Sequence, residues 1–130
     1  MKGIMGLIEK DKKFLFGIES KDSPIKGKWR LLGGKLEQDE TSEQAMTREC
    51  LEEANIQVKL EKFLGHVNIA RDDITIDLCC TQWIAGELKP KLNEISKLEW
   101  FSLEEAKNLD KDHVSEFALS LFERTLQEKL

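Results

Sequence analysis

GGKLEQDETSEQAMTRECLEEANI, residues 33–56, is the stretch on which the reading of this chain turns. Thr41, with Gln44 three residues later, is a capping-box signature, so the spacing predicts a helix from about Thr41, and Asn55 is its natural stop. Met46, Cys50, Leu51 and Ala54 lie mostly to one side of that helix, the side that packs. Glu49, Glu52 and Glu53, at i, i+3 and i+4, share the other. Like charges at that spacing cost roughly 0.2–0.5 kcal/mol per pair unless a cation lies among them. A hard divalent cation with oxygen ligands fits that description. Taken alone, however, the helix reads first as an ordinary solvated acidic face. Gly33 and Gly34 form either a plain turn or a place where the lack of Cβ admits positive φ and the close approach of a ligand.

Outward from this stretch, composition sets the bounds. The 130 residues suit one domain, residues 1–130, with a single core. No apolar run approaches the roughly 20 residues that span a bilayer, and MKGIMGLIEKDKK does not resemble a signal peptide, so a cytoplasmic protein without membrane partners is expected. The net charge of -5 is mixed along the chain, with no basic stripe to meet nucleic-acid phosphates. A small anionic ligand is still compatible, because a bound cation inverts the local field. Three cysteines, two of them adjacent as Cys79 and Cys80, give neither a disulfide framework nor metal-ligand spacing and read as buried thiols.

Before the glycines, Gly3–Ile8 and Phe14–Ile18 read as a hairpin, Ser20–Pro24 as a loop, and Lys28–Leu32 as a short extended entry. After the helix, Ile56–Ala70 and Ile74–Ala85 read as strands joined at Arg71-Asp72-Asp73. A polar connection over Gly86–Lys97 leads to a short strand, Leu98–Phe101. Ser102 and Glu105 make a second capping box for a helix near 103–109. Val114, Phe117, Ala118, Leu121, Phe122 and Leu126 then trace the packed stripe of a final helix. Strands, helix, strands, helices describe a mixed α/β protein with a sheet covered on both faces.

With these residues in view, the chain resembles the Nudix hydrolases. Gly34, five residues, Glu40, seven residues, then Arg48-Glu49-Cys50-Leu51-Glu52-Glu53-Ala54-Asn55-Ile56 is similar to the Nudix box. Trp29 ahead of the glycines and Glu99–Glu105 near the end are similar to the flanks of small MutT-like members. The resemblance implies an α/β/α sandwich with a mixed sheet. It further implies Mg2+-dependent cleavage, with Mn2+ as an alternative ion, of a nucleoside diphosphate linked to another group; a monomer or a homodimer is expected. By position, Glu49, Glu52 and Glu53 would hold metal with the Gly33 carbonyl, while Gly34, Glu40 and Arg48 would steady the loop and helix. Glu53, Glu52 or Glu94 would act on the water.

Some positions depart from the family pattern. Asn55 stands for Gly, Cys50 for a bulky aliphatic, Leu32 for Pro and Asp39 for Gly. Where MutT-like enzymes carry basic residues after the second strand, this chain has Glu19 and Ser20, leaving Lys21, Lys28 or Lys35 to meet phosphate. The chain has no tyrosine, no proline at the place ADP-ribose members use, and no NADH-type signature, which within the family favours a nucleoside triphosphate cleaved to the monophosphate and pyrophosphate. Hydrolysis of another nucleoside diphosphate derivative such as ADP-ribose, or nucleotide binding without turnover, are the alternatives. Asp112 suits either a base-reading role or a helix N-cap. Trp29 is the best placed of Trp29, Trp83 and Trp100 to stack on a base or to pack. His66 and His113 have no partner in the sequence that would make them acid–base groups.

Overall fold

Alternation along the first strand makes the sheet two-sided. In the computed structural model, which describes residues 1–20 and 27–128, β1 (Lys2–Lys10) sends Ile4 and Ile8 into one buried cluster and Leu7 into another. Successive side chains of a strand point to opposite faces, so both faces of this strand are covered. β2 (Lys13–Glu19) repeats the pattern, with Leu15 on the first face and Phe14 and Phe16 on the second. Asp11 and Lys12 between them both take left-handed φ, 51° and 64°, as a two-residue hairpin turn requires.

The seven strands form one mixed sheet, ordered β3-β2-β1-β6-β5, with β4 also on β1 and β7 also on β2. β3 (Trp29–Arg30) and β4 (Leu32–Lys35) replace the single extended entry expected before the glycines. Gly33 and Gly34 are consequently strand residues, paired with Met5 and Ile4, and not a turn. β5 (Gln57–Ile69) and β6 (Ile74–Ala85) are antiparallel, joined by a short 3-10 turn at Ala70–Asp72, and β6 runs parallel to β1. β7 (Ile95–Ser102) pairs with the whole of β2 and begins three residues before the expected Leu98. Ile95 is fully buried, while Ser96 and Lys97 are exposed and mask the strand in sequence.

Helix α1 (Ser42–Ala54) covers the first face, with Ala45, Met46, Cys50 and Ala54 in its cluster. Leu51, expected on the packed side, is exposed, and Glu53 takes a buried position instead. Helices α2 (Leu103–Lys107) and α3 (His113–Glu128) cover the second face, α3 contributing Ala118 and Leu119. This is the expected α/β/α sandwich. Lys21 and most of the loop read at Ser20–Pro24 lie outside the described residues.

Candidate active site

Helix α1 presents its acidic residues at an electrostatically unfavourable end. Glu52 and Glu53 sit in the last turn, which carries no basic residue, where the helix dipole already disfavours negative charge. The start is built conventionally: the Gln44 N–H donates to Thr41 Oγ1 (3.1 Å) and the Thr41 N–H to Gln44 Oε1 (2.9 Å). Asn55 closes the helix in the left-handed region, φ 62°, which Asn tolerates better than most residues. The connection after β6 is tied to this same end, the Lys89 and Lys91 N–H groups donating to the Ala54 and Glu53 carbonyls.

The three carboxylates fall on different sides of the burial boundary. Glu53 is 2% exposed, Glu49 is partly buried and Glu52 is exposed. Glu53 Oε1 accepts from the Gly33 N–H at 3.1 Å, and its Oε2 from Arg30 Nη2 at 2.9 Å. Burial pushes the Glu53 carboxyl up from 4.5 to about 7, with Arg30 offsetting part of the rise. Burial also raises Glu49, against the pull of Arg48. A Cβ on Gly34 would stand 2.6 Å from Glu49 Oε1, so the second glycine makes room for a carboxylate. At Gly33, φ is 152° and a Cβ would overlap the Ile4 carbonyl, so there the backbone itself demands glycine.

Arg48 organises the rest. Its Nε and Nη2 grip both oxygens of Glu40 (2.8 and 2.9 Å), its Nη1 reaches Glu49 at 2.9 Å and Glu52 at 3.4 Å, and Nη2 also donates to the Lys35 carbonyl. The Arg48 side chain holds the Glu40 carboxyl down at about 2. The cations that relieve the acidic cluster in this structure are therefore two guanidinium groups, Arg48 for Glu49 and Glu52, and Arg30 for Glu53.

Among the described residues no three His, Cys, Asp or Glu side chains converge closely enough to hold a metal ion. The donors are nevertheless of the right kind: hard carboxylate oxygens, two of them in carboxyl groups whose burial leaves charge poorly compensated. Glu52 and Glu94 are half exposed at the ends of long side chains. Glu94 is close enough to Glu49 to raise its carboxyl further, and is ion-paired to Lys91 at 3.2 Å.

Beside these groups lies a cavity of about 280 Å³. Its walls are aliphatic, Met5, Ile69, Ile74, Ile76 and Val114, and its polar lining comes from Glu19, Arg30, Lys35 and Asp112 together with the Gly33–Gly34 backbone. Lys35 and Asp112, two of the residues expected to bind substrate, both line this cavity. Asp112 is also the N-cap of α3, accepting from the Ser115 N–H through Oδ1 at 3.0 Å. Trp29 does not line the cavity; its ring packs edge-on against Phe101, centroids 4.9 Å apart, and its backbone carries Asp110 and Asp112. His66 and His113 are exposed. Sequence reasoning missed Arg30 and the role of Glu19 as its partner at 2.7 Å. The available signal was a lone charge between Trp29 and Leu31, two residues before Leu32, on the side of the segment that meets α1.

The family model of the NUDIX domain matches residues 2–120. A protein of Methanocaldococcus jannaschii named ADP-ribose pyrophosphatase is 35% identical over 112 residues, 83% of this chain and 65% of that protein. NAD-capped RNA hydrolase NudC of Vibrio cholerae is 33% identical over 78 residues, 60% of this chain and 29% of its own length. The chain thus spans less than two thirds of either relative. The crystal structure of a MutT NUDIX hydrolase from Burkholderia pseudomallei aligns with a TM-score of 0.78 at 26% identity, covering 92% of this chain and 95% of that one.

Proposed function

The chain belongs to the NUDIX family, and from that premise we propose that it hydrolyses the pyrophosphate linkage of a nucleotide with the help of a divalent cation, Mg2+ or alternatively Mn2+. The observation that carries this reading is the buried carboxylate of Glu53 and the partly buried one of Glu49, set against the Gly33–Gly34 strand at the edge of the cavity. A protein that merely bound a nucleotide would have no chemical use for buried carboxylates of raised pKa beside phosphate.

Glu49, Glu52 and Glu53, with the Gly33 carbonyl, are the residues that would hold the cation. When bound, it neutralises pyrophosphate charge and acidifies water. The remaining work falls to the chain itself. Lys35, exposed at the cavity, meets phosphate, and the aliphatic walls take the base, with Asp112 at their polar end. Water adds to phosphorus, a P–O bond of the bridge breaks, and the water proton passes to Glu53 or Glu94. Gly34, Glu40 and Arg48 keep the strand and helix in register, the glycine by leaving space for Glu49 and the ion pair by tying the loop to α1.

Within this reading we favour a nucleoside triphosphate, cleaved to the monophosphate and pyrophosphate, the substrate class that the sequence resemblance favours. The name of the Methanocaldococcus relative favours ADP-ribose instead. Product analysis across nucleoside triphosphates, oxidised nucleotides, ADP-ribose and dinucleoside polyphosphates separates the two. Glu53→Gln is expected to abolish Mg2+-dependent turnover with the fold intact. Full activity in that variant would refute the assignment of the site, and turnover of no compound by the unaltered protein would leave a nucleotide-binding module.

A further inference from the structure

One side chain touches both the cavity and the buried carboxylate. Arg30 lines the cavity, is only 11% exposed, and spends each guanidinium nitrogen in a different direction. Nη2 donates to Glu53 Oε2 at 2.9 Å, Nη1 to the Leu31 carbonyl at 2.8 Å, and Nε faces Glu19 Oε1 at 2.7 Å. The Gly33 N–H takes the other Glu53 oxygen, so the carboxylate is held at both ends by groups of the segment Arg30–Gly33. Leu31 is itself fixed, its N–H donating to Ser115 Oγ on α3 at 2.9 Å. The last turn of α1 has no basic residue of its own to oppose Glu53, so the countercharge comes from a different element.

We infer that Arg30 is a positioning residue for the hydrolytic site: anchored by Glu19 and the Leu31 carbonyl, it sets the orientation of Glu53 toward the cation that the proposed function requires. A lysine can take its place only in part, because a point charge on a flexible stem lacks the planar fork that bonds Glu53 and the Leu31 carbonyl together while facing Glu19. The inference rests on the proposed hydrolysis, and the experiment separates the two.

Mn2+ binding is titrated without substrate, and kcat and KM are measured with Mg2+, for the unaltered protein and for Arg30→Met, Arg30→Lys and Glu19→Gln. Absence of both Mn2+ binding and turnover in the unaltered protein would remove the proposed function itself. If that protein is active, Arg30→Met is expected to lose about 10- to 100-fold in cation affinity and in kcat, as removal of a group that orients a metal ligand does. KM is expected to stay within about two-fold, since no binding common to ground and transition state is lost. Arg30→Lys should recover part of the loss, and Glu19→Gln should produce a smaller one of the same kind. Should Arg30→Met fail to fold, the other two variants carry the test. A raised KM with unchanged kcat and cation affinity would make Arg30 a substrate contact and overturn the inference. Unchanged cation affinity and kcat in all folded variants would overturn it equally.

Discussion

Replacing Glu53 by Gln in the cation-free protein is expected to change how stability depends on pH. The folded chain holds the Glu53 proton up to about 7, whereas an unburied glutamate releases it near 4.5. A carboxyl whose folded value is raised stabilises the fold fully below its unfolded value, and that contribution is lost as pH rises through the folded value. At about 1.4 kcal/mol for each pH unit between the two, the contribution is about 3 kcal/mol. The site is almost completely buried, so little solvent screening reduces the figure. Urea unfolding in the presence of a chelator, for unaltered protein and Glu53→Gln from about pH 4 to about pH 9, isolates the effect. Glu40 and Glu105, both lowered by hydrogen bonds, titrate in both proteins and drop out of the difference, whereas Glu49, whose charge helps to raise Glu53, stays within it. The stability of the unaltered protein relative to Glu53→Gln should fall by about 3 kcal/mol across that range. Saturating Mg2+ should abolish the fall, because a bound cation favours the ionised carboxylate. Parallel curves in chelator would refute the reasoning, since they would mean that Arg30 and the Gly33 N–H outweigh burial and keep Glu53 ionised throughout.

The two glycines should separate fold from chemistry. Gly33→Ala forces a Cβ into the Ile4 carbonyl at a φ of 152°, and thermal melts should show a loss of about 3 kcal/mol or more. Gly34→Ala meets only the tip of Glu49, so the fold should survive while cation affinity and turnover fall, as Mn2+ titration and a pyrophosphate assay would record. Arg48→Ala frees Glu40 from the side chain that holds its carboxyl at about 2. A group lowered in this way stabilises above 4.5 and loses its contribution as pH falls through about 2, so the deficit in melting temperature should be largest near neutrality and shrink in acid. Asn55→Val places a β-branched residue at φ 62° and should cost about 1–2 kcal/mol in urea unfolding, whereas Asn55→Gly should be near neutral.

Local signals made the elements legible. The Thr41–Gln44 and Ser102–Glu105 boxes and the Asn55 stop are interactions within a few residues, and each stands where the spacing predicts it. Of the stripe expected to pack along α3, Val114, Ala118, Leu121 and Phe122 lie with the second cluster, whereas Phe117 and Leu126 are exposed. Pairing was not legible, because a strand's sequence states which residues share a face and not which strand lies beside it. The parallel pairing of β1 with β6 and the long register of β7 on β2 join segments far apart in the chain. Ser96 and Lys97 point to solvent within β7, so the onset of that strand resembles a polar loop until its partner is known.

Helical spacing placed Glu49, Glu52 and Glu53 together but could not say that the burial boundary passes between Glu52 and Glu53. That boundary is set by β1 and β4, which α1 covers, and it decides the chemistry: Glu53 is buried and its carboxyl raised, while Glu52 is exposed. The repulsion expected among the three carboxylates unless a cation lies near them is relieved in the structure by Arg48 and Arg30. On the proposed function, a divalent ion that takes Glu49 and Glu52 would compete for them with Arg48 Nη1, which meets one oxygen of each. The arginine loses little by this, because its two-pronged grip on Glu40 and its bond to the Lys35 carbonyl are untouched. On that reading Glu40 would hold Arg48 beside the acidic cluster with or without the ion.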